Sequence, residues 1–476
     1  MRLKQLIPAL LTPFLFSACV PQIDKESALD GAAINKELKS LDADDNRSLD
    51  AQWWKAYGDG QLDEMIGKAL GSSPTIKSIE ARYAQANSII ASAQAGNMPS
   101  VFISGAISRQ RFSENYIFPP PLGGAAESLY QAGAGLEYDF DFFNARGSKI
   151  LSAKYSAMAQ KAYINEMKLA LSSALCKLYL SWGYDERRVQ MLLRFKDAMM
   201  QEQSILKRRY AQGVIDAREL NSNLSDISKI DQEIDGLKRV MQSKKESIGV
   251  LGGFMPSYLE NLHRPSIKEG VNVPMPKEIY LDLIAHRADV AVQKYTVLSK
   301  EANIENAKAQ FYPNISLSAL VGFTSFDLAK FADNSSYAPI AGLALSLPIF
   351  DGGARKANLN IKVSDYNSSV NDYNNVIIKA VNEVVGVVKK TKILESQICF
   401  LQKELDAKNL NEDIAKQRFD AGLSDKLPYI TAKLESYKSE LVGIDLDEEK
   451  SLLRIELIKA LGGGYKEKED KTDAND

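Results

Sequence analysis

The sequence contains little of the material from which catalytic and metal sites are made, with two histidines and three cysteines among 476 residues. Neither His263 nor His286 belongs to a Cys, His or carboxylate grouping with the spacing of metal ligands. No Ser/His/acid set, phosphate-binding loop or paired-carboxylate cleft stands out. We therefore predict that the protein is not an enzyme and that it holds no metal and no cofactor.

One-sided charge and long apolar runs are also missing. The formal net charge is −2, and Lys and Arg are not in the clustered excess that a nucleic-acid-binding surface needs, so no nucleic-acid partner is expected. After the N-terminal segment, no run of about 18 or more uncharged apolar residues occurs, which predicts no transmembrane helix in the mature chain. Only helices and closed β-barrels span membranes, so this chain could cross one only as a barrel.

The N-terminal residues 1–18 have the pattern of a secretory signal peptide. Arg2 and Lys4 form a short basic region, residues 6–16 are mostly apolar, and Ser17-Ala18 supply the small residues of a cleavage site. The protein is therefore predicted to be exported.

The end of this segment, residues 15–19, resembles the lipobox of bacterial lipoproteins, in which the cysteine is acylated and becomes the first mature residue. Cys19 is accordingly the predicted lipidation site, although Phe16 stands where leucine is usual. In the resembled class, Val20 in place of aspartate after the cysteine implies export to the outer membrane. Ordinary signal cleavage near an unrelated cysteine is the alternative.

The other two cysteines, Cys176 and Cys399, fall inside long helical patterns. Counted from the shared landmarks Arg146 and Arg355, they lie at 30 (176 − 146) and 44 (399 − 355) residues. A difference of 14 residues (44 − 30) corresponds to about 21 Å of helix, beyond the range of a disulfide. Two buried free thiols are predicted.

The most informative feature present is an internal repeat. Four segments recur in the same order, namely 99–103 as 313–317, 143–147 as 350–355, 209–213 as 418–422 and 248–253 as 458–463. The offsets are 214 (313 − 99), 209 (355 − 146), 209 (422 − 213) and 210 (462 − 252) residues. A duplication that keeps its register over this length indicates one architectural unit used twice.

The repeat divides the chain into six segments. They are the signal peptide 1–18, an N-terminal extended segment 19–59, repeat 1 over 60–262, a linker 263–276, repeat 2 over 277–463 and a charged tail 464–476. Repeat 1 is predicted to hold strands at about 100–111 and 129–142 and long helices at 146–212 and 214–251. Repeat 2 is predicted to hold strands at about 314–324 and 338–348 and long helices at 354–421 and 424–461.

The strands are predicted from a period of two in which one face is aromatic or apolar and the other is small or acidic. Their length suits tilted strands that cross a bilayer, while a soluble hairpin is the alternative for any one strand. Four strands are too few to close a membrane barrel, since such barrels start at about eight, so several chains would have to contribute.

The long helices are predicted from two proline-free stretches, between Pro121 and Pro256 and between Pro348 and Pro428. Asn144 and Asp351 are the expected N-caps. From Arg146 to Gly213 is 67 residues (213 − 146), or about 100 Å of helix, too long for a compact globular domain.

Together these features resemble the TolC-like outer-membrane efflux proteins, particularly the lipoprotein branch that serves resistance-nodulation-division pumps. The residues that carry the resemblance are Trp53-Trp54, Asp59, Leu62, the Pro-led first strands, the segment 348–353 and the two Arg-aromatic-x-x-Gly turns. The resemblance covers about residues 53–463.

The resemblance implies an α+β membrane protein in which each chain gives four strands to a trimeric twelve-stranded β-barrel that continues into a long periplasmic α-helical barrel. It implies a passive exit duct in the outer membrane for drugs, metals or other small molecules. The implied partners are two further copies of the chain, a periplasmic adaptor, an inner-membrane pump and the lipid of the outer membrane. A type I duct for secreted polypeptides and a periplasmic coiled-coil scaffold are the alternatives, and the scaffold would leave the two-faced strands unexplained.

Two groups of residues are candidate functional sites. Arg209, Gly213, Arg418 and Gly422 are expected to dock the adaptor at the turns between the long helices, with helix C-terminal capping as the alternative role of the arginines. The acids Glu137, Asp139 and Asp141 are expected to form rings that face the lumen, with a merely solvated face as the alternative.

Two departures from the resembled family matter. Relatives often have Arg-Pro-Asp where this chain has Arg287-Ala288-Asp289, which affects a helix start. Pro428 stands where relatives often carry an aspartate that narrows the periplasmic aperture. No carboxylate ring is therefore assigned to Pro428 or Thr431.

Overall fold

The structure, a computed structural model, describes residues 23–28, 51–115, 117–266 and 287–464. The signal peptide, Cys19, most of the linker and the tail after Gly464 lie outside the described residues. The chain divides into two compact units. The sheet unit comprises Met1–Ala28, Arg82–Gln160 and Gln293–Tyr373, and the helical unit comprises Leu29–Ala81, Lys161–Val292 and Asn374–Asp476.

The sheet unit contains one antiparallel sheet of four strands in sequence order. The strands are β1 (Ser100–Arg111), β2 (Ala126–Phe140), β3 (Asn314–Ser325) and β4 (Ile340–Ser346). Strand β2 ends before Asp141, and β4 is shorter at both ends than the range 338–348. Within the described chain, β1 pairs only with β2 and β4 only with β3, so both outer strands have an open edge.

The two hairpins have the same register. Ser100 lies opposite Glu137 in the first hairpin, and Asn314 lies opposite Ser346 in the second. The first strands differ by 214 residues (314 − 100) and the second strands by 209 (346 − 137), the same offsets that the sequence repeat shows. The duplication therefore extends to the pairing of individual residues.

The sheet has one apolar face and one face of small and polar residues, because side chains alternate along each strand. The apolar face carries Val101, Ile103, Ile107, Tyr130, Leu136, Tyr138, Phe140, Ile315, Leu317, Val321, Phe323, Leu343 and Leu345. The opposite face carries Ser100, Ser104, Gly133, Gly135, Glu137, Asp139, Ser316, Ser318, Gly322, Gly342 and Ser346. Phe102, Leu320 and Ile340 interrupt that face with apolar side chains. Phe102 lies over Gly135, where a Cβ would come within 2.4 Å of the Phe102 ring.

The helices follow the repeat as well. Repeat 1 has α1 (Gly60–Ser72), α2 (Pro74–Ala95), α3 (Ala145–Ala211), α4 (Ala217–Gly252) and the short α5 (Pro256–Glu260). Repeat 2 has α6 (Ala288–Ala309), α7 (Ala354–Asp420) and α8 (Lys426–Ala460). Helices α3 and α7 have 67 residues each, and α4 and α8 have 36 and 35. None of the described helices is long and apolar enough to cross a membrane.

The start of α3 corrects one sequence prediction. Asn144 was expected to cap this helix, but its backbone has a φ of 57°, and the capping side chain is that of Asp141. The Asp141 carboxylate accepts the backbone N–H groups of Ala145 (2.7 Å), Arg146 (2.9 Å) and Gly147 (3.0 Å). At the start of α7 the expected cap Asp351 accepts the backbone N–H of Arg355 at 3.0 Å.

The core of the helical unit explains why Asp59 and the tryptophan pair stand together in the sequence. Trp53 and Trp54 are buried in a 3₁₀-helix, Trp53–Tyr57, so these five residues of the segment 19–59 are helical rather than extended. Asp59 caps α1, accepts the Tyr179 hydroxyl at 2.7 Å and accepts the Ser266 backbone N–H at 2.8 Å. One buried carboxylate thus joins the start of α1, the middle of α3 and the segment after α5.

The two cysteines of the long helices differ in burial. Cys176 is a buried free thiol whose pKa is raised by burial, but Cys399 is exposed, so the prediction of two buried thiols is wrong for Cys399.

Arg287 is buried beside the start of α6, where it pairs with Asp289 (2.8 Å) and Glu383 (2.9 Å). It also donates to the Ala460 carbonyl at 2.8 Å, so this arginine joins α6, α7 and the end of α8.

Candidate functional site: two interhelical turns and a two-faced sheet

The turn after α3 and the turn after α7 have the same backbone geometry. Gly213 and Gly422 each have a φ of 71°, in the left-handed region that favours glycine. The Val214 N–H donates to the Arg209 carbonyl at 2.9 Å, and the Leu423 N–H donates to the Arg418 carbonyl at 2.8 Å. A Cβ at either glycine would meet nothing within 4 Å, so the constraint on these positions is conformational rather than steric crowding.

An aspartate begins the next helix in both turns. Asp216 accepts the Arg218 backbone N–H at 2.7 Å at the start of α4, and Asp425 accepts the Lys426 backbone N–H at 2.6 Å at the start of α8. The two aspartates are equivalent in the repeat, since they differ by 209 residues (425 − 216). A carboxylate at a helix N-terminus satisfies free backbone donors and interacts favourably with the helix dipole.

The two arginines, also 209 residues apart (418 − 209), have different partners. The Arg209 guanidinium donates to the Asp425 carboxylate across the two copies, and this hydrogen bond holds the pKa of Asp425 below its ordinary value. Arg418 is exposed, and its side chain has no hydrogen bond or ion pair within the described part of the chain. Asp216 instead pairs with its neighbour Arg218 at 2.6 Å.

The turns also expose apolar side chains. Val214 and Leu423, which follow the two glycines, are 66% and 73% exposed. Each turn therefore combines an apolar tip with a charged helix start.

A cavity of about 660 Å³ lies beside the second turn. Its lining includes Arg209, Asp425, Lys408, Glu435 and Pro428, together with Asn411, Leu427, Thr431 and Ala432. Lys408 and Glu435 approach each other to 3.7 Å. The charged groups of this cavity come from neighbours of Pro428, which itself contributes no carboxylate.

The three sheet acids do not form one set. Glu137 and Asp139 lie on the small and polar face, opposite Ser318 and Ser316 of β3. The Asp139 carboxylate pairs with Arg146 at 2.6 Å. Asp141 lies beyond the strand and its oxygens cap α3, so its assignment to a stacked strand ring is corrected.

In the described ranges, no group of three or more His, Cys, Asp or Glu side chains could hold a metal ion.

Sequence reasoning missed the roles of Asp425, Asp141 and Arg287. A signal for Asp425 was present, because an aspartate three residues after the turn glycine recurs in both copies. The roles of Asp141 and Arg287 depend on loop conformation and on helices that are distant in sequence, and no local pattern indicated them.

The sequence matches the family described as "Outer membrane efflux protein" over residues 65–248 and 279–463. Among curated relatives, the multidrug resistance outer membrane protein MdtP of Escherichia coli K12 is 26% identical over 430 residues, which cover 87% of this chain and 86% of MdtP. The multidrug resistance outer membrane protein MdtQ of Escherichia coli O6:H1 is 26% identical over 465 residues, which cover 95% of this chain and 96% of MdtQ.

Solved structures share the fold. The Vibrio cholerae outer membrane protein VceC superposes with a TM-score of 0.79 at 24% identity, over 88% of this chain and all of VceC. The Campylobacter jejuni outer membrane channel CmeC superposes with a TM-score of 0.82 at 19% identity, over 94% of this chain and 96% of CmeC. These comparisons confirm the predicted fold class and outer-membrane location. With the repeated hairpins and long helices, they show that the chain belongs to the outer membrane efflux protein family and is an exit duct of the outer membrane, not an enzyme.

Proposed function

We propose that three copies of this chain form the duct and that it works with a periplasmic adaptor and an inner-membrane pump of the resistance-nodulation-division type. The observation that supports a trimer is that the two outer strands of the sheet, β1 and β4, each have an open edge. Strand β2 of copy one pairs with β3 of copy two inside the chain. Because the two hairpins have the same register, β4 can form the equivalent pair with β1 of the next chain.

This junction has a defined register. Ala134 of β2 lies opposite Val321 of β3. The repeat offsets of 209 (343 − 134) and 214 (321 − 107) place Leu343 of one chain opposite Ile107 of the next. A head-to-tail contact of this kind closes into a ring when its rotation allows. Three chains give twelve strands, whereas two would give eight, for which side chains fill the interior.

The two faces of the sheet suit a wall between lipid and water. Ile103, Ile107 and Leu343 are 88%, 76% and 71% exposed on the apolar face. Exposed apolar surface of this extent on a single chain indicates a membrane or protein interaction. The small and polar opposite face then lines the path of the cargo, with Glu137 and Asp139 as the acids on it.

The adaptor docks at the two interhelical turns in this proposal. The support is the repeated tip, in which Gly213 and Gly422 expose Val214 and Leu423. Of the two arginines expected to dock, Arg209 is engaged with Asp425 within the chain, so the exposed apolar tips rather than the arginines are the proposed contact with the adaptor.

The cargo in this proposal is a drug, metal or other small molecule. The names of MdtP and MdtQ refer to multidrug resistance, which favours small molecules over secreted polypeptides. Acylation of Cys19 completes the proposal, since a lipid chain contributes about 0.8 kcal/mol per buried CH₂ and adds to insertion of the sheet.

The experiment uses Leu343→Cys with Ile107→Cys in a Cys399→Ser chain, which removes the exposed thiol. Residues directly opposite on paired strands come within disulfide range. Oxidation in membranes should give covalent dimers and trimers in non-reducing electrophoresis. The control, Leu343→Cys with Val101→Cys, is six residues (107 − 101) out of register, or about 20 Å, and should give none.

A measurement of drug tolerance complements the cross-linking. The unmodified chain, co-expressed with a matching adaptor and pump in a host without its own outer-membrane efflux proteins, should raise drug tolerance. Monomers that never cross-link, or unchanged tolerance with all three components present, would contradict the proposal.

A further inference from the structure

We propose that Arg418 of one chain forms an ion pair with Asp216 of the next chain, and that this pair joins the interhelical turns of neighbouring protomers into a continuous ring. The inference rests on the proposed trimer. To that trimer the inference adds a specific contact in the helical unit, between two side chains that form no ion pair with each other within the described chain.

The argument starts from the contact between α3 and α8 inside the chain. Helix α3 is the first long helix of copy one, and α8 is the second long helix of copy two. Polar contacts join them along their length, namely Lys177 with Glu456, Arg188 with Asp445 and Glu448, Tyr184 with Ser451, and Arg209 with Asp425. This is the helical counterpart of the β2–β3 junction, since both join copy one to copy two.

The repeat has a second junction of the same type. Helix α7 is the equivalent of α3 in copy two, and α4 is the equivalent of α8 in copy one. In a ring of chains, α7 of one protomer therefore meets α4 of the next, as β4 meets β1. Applying the 209-residue offset to the pair Arg209–Asp425 gives Arg418 (209 + 209) and Asp216 (425 − 209).

Of the ion pairs named above, Arg209–Asp425 is the one that keeps both charges under the offset. Lys177 and Arg188 correspond to Gly386 (177 + 209) and Gln397 (188 + 209) on α7. The charges in the middle of the junction have thus changed between copies, while the arginine and aspartate at the turn are both present.

The surroundings of the two groups fit this role. Arg418 is exposed and has no side-chain partner among the described residues. Asp216 is exposed and is held in place as the N-cap of α4 by the Arg218 backbone N–H. Its present ion-pair partner, Arg218, has a side chain that is 92% exposed, so a second guanidinium can approach the same carboxylate. Because the two turns have equivalent backbone geometry, each arginine projects from an equivalent position four residues before its turn glycine.

The test is chemical cross-linking with a matched internal control. Asp216→Cys with Arg418→Cys is compared with Arg209→Cys and Asp425→Cys, both in the full-length Cys399→Ser chain purified in detergent. Cys176 is left unchanged, because it is buried and its raised pKa keeps the thiol protonated. A short bismaleimide is added, and the products are separated under reducing conditions, with each single-cysteine variant as a blank.

The 216/418 pair should give covalent dimers and trimers, with monomer becoming the minor species. The 209/425 pair should give an internally linked monomer, identified by peptide mass spectrometry, with at least tenfold less trimer. Size-exclusion chromatography with light scattering on the same samples reports whether the chains are trimeric.

Two results would overturn the pairing and leave the proposed duct intact. One is a trimeric sample in which the 216/418 pair links only within monomers. The other is a trimeric sample in which the thiol introduced by Arg418→Cys links to an added adaptor in preference to the thiol introduced by Asp216→Cys. A monomeric sample of the unmodified chain would overturn the trimer and the pairing together.

Discussion

The two interhelical turns are built alike and bonded differently. Both have a glycine with a φ of 71°, a carbonyl of arginine that accepts the following N–H, and an aspartate that starts the next helix. Within the chain, however, Arg209 forms a hydrogen bond with Asp425, the aspartate of the other copy. Arg418 forms no equivalent bond with Asp216 within the described chain. Duplication preserves what a turn needs for its own geometry. The partners of its side chains depend on which copy stands next to it.

The difference also separates two kinds of residue within each turn. The glycines determine where the turn lies, because few other residues adopt this backbone conformation without strain. The charged groups determine what the turn is joined to. Substitutions at the two kinds of position should therefore have effects of different size and on different measurements.

The largest expected effect is on export, from Gly422→Val. Valine at a φ of 71° costs about 1–3 kcal/mol, which a chain of this size tolerates, so trimer abundance should stay near normal. Drug tolerance should fall to the level of a strain without the duct, because the displaced turn no longer meets the adaptor. Gly213→Val tests the equivalent turn. The measurement is drug tolerance beside trimer abundance in membranes.

Asparagine provides the control, because it accepts the left-handed conformation. Gly422→Asn should keep most of the drug tolerance that Gly422→Val removes. Full tolerance of Gly422→Val at normal abundance would mean that the turn is not the docking site. Loss of the trimer would mean that the glycine is merely structural.

The start of α3 offers a second comparison, between the side chain that caps the helix and the side chain that the sequence predicts as its cap. Asp141→Ala removes the acceptor of three backbone N–H groups and should lower the stability of the chain by about 1–2 kcal/mol, typical of a lost N-cap. Asn144→Gly, which keeps the backbone conformation and removes the side chain first expected to cap α3, should change stability much less. Thermal unfolding in detergent measures both, and equal losses would contradict the assignment of Asp141 as the cap.

These outcomes show which features were accessible from the sequence. The strands and long helices were predictable because alternation, absence of proline and turn glycines are local signals, repeated twice in the same order. The α3 cap was not, because Asn144 occupies a left-handed conformation that takes Asp141 to the helix start instead. The partner of Arg209 lies 216 residues away, and only the folded chain brings Asp425 to it.

A smaller effect separates the two arginines. An exposed ion pair contributes about 0.2–1 kcal/mol. Arg209→Ala should lower the unfolding free energy of the isolated chain by this amount, since it removes a contact within the chain. Arg418→Ala should leave the isolated chain unchanged and lower only the stability of the trimer. Urea unfolding of monomers and heat dissociation of trimers measure the two quantities, and a loss in the monomer from Arg418→Ala would remove the distinction.

The smallest effect is on the response to acid, and it concerns the two helix-capping aspartates. The hydrogen bond from the Arg209 side chain lowers the pKa of Asp425, and that from the Arg218 side chain lowers the pKa of Asp216, each from an ordinary value of 3.8. A lowered pKa in the folded state means that the stabilisation is fully present above pH 3.8 and is lost as the pH falls below it, through the folded-state value. Both turns should therefore hold to about pH 4 and loosen only in stronger acid.

Substituting one arginine at a time should shift these responses separately. Arg209→Gln raises the pKa of Asp425 towards its ordinary value, so the second turn should become sensitive to pepsin at a higher pH while the first turn does not change. Arg218→Gln raises the pKa of Asp216 in the same way, so the first turn should become sensitive to pepsin at a higher pH while the second turn does not change. Arg418→Gln should shift the first turn only in the trimer, where Asp216 faces the next chain. Cleavage sites and rates, measured from about pH 6 to about pH 3, follow both turns in one sample. A shift of the first turn by Arg418→Gln in the monomer would place its partner inside the chain and remove the asymmetry between the two turns.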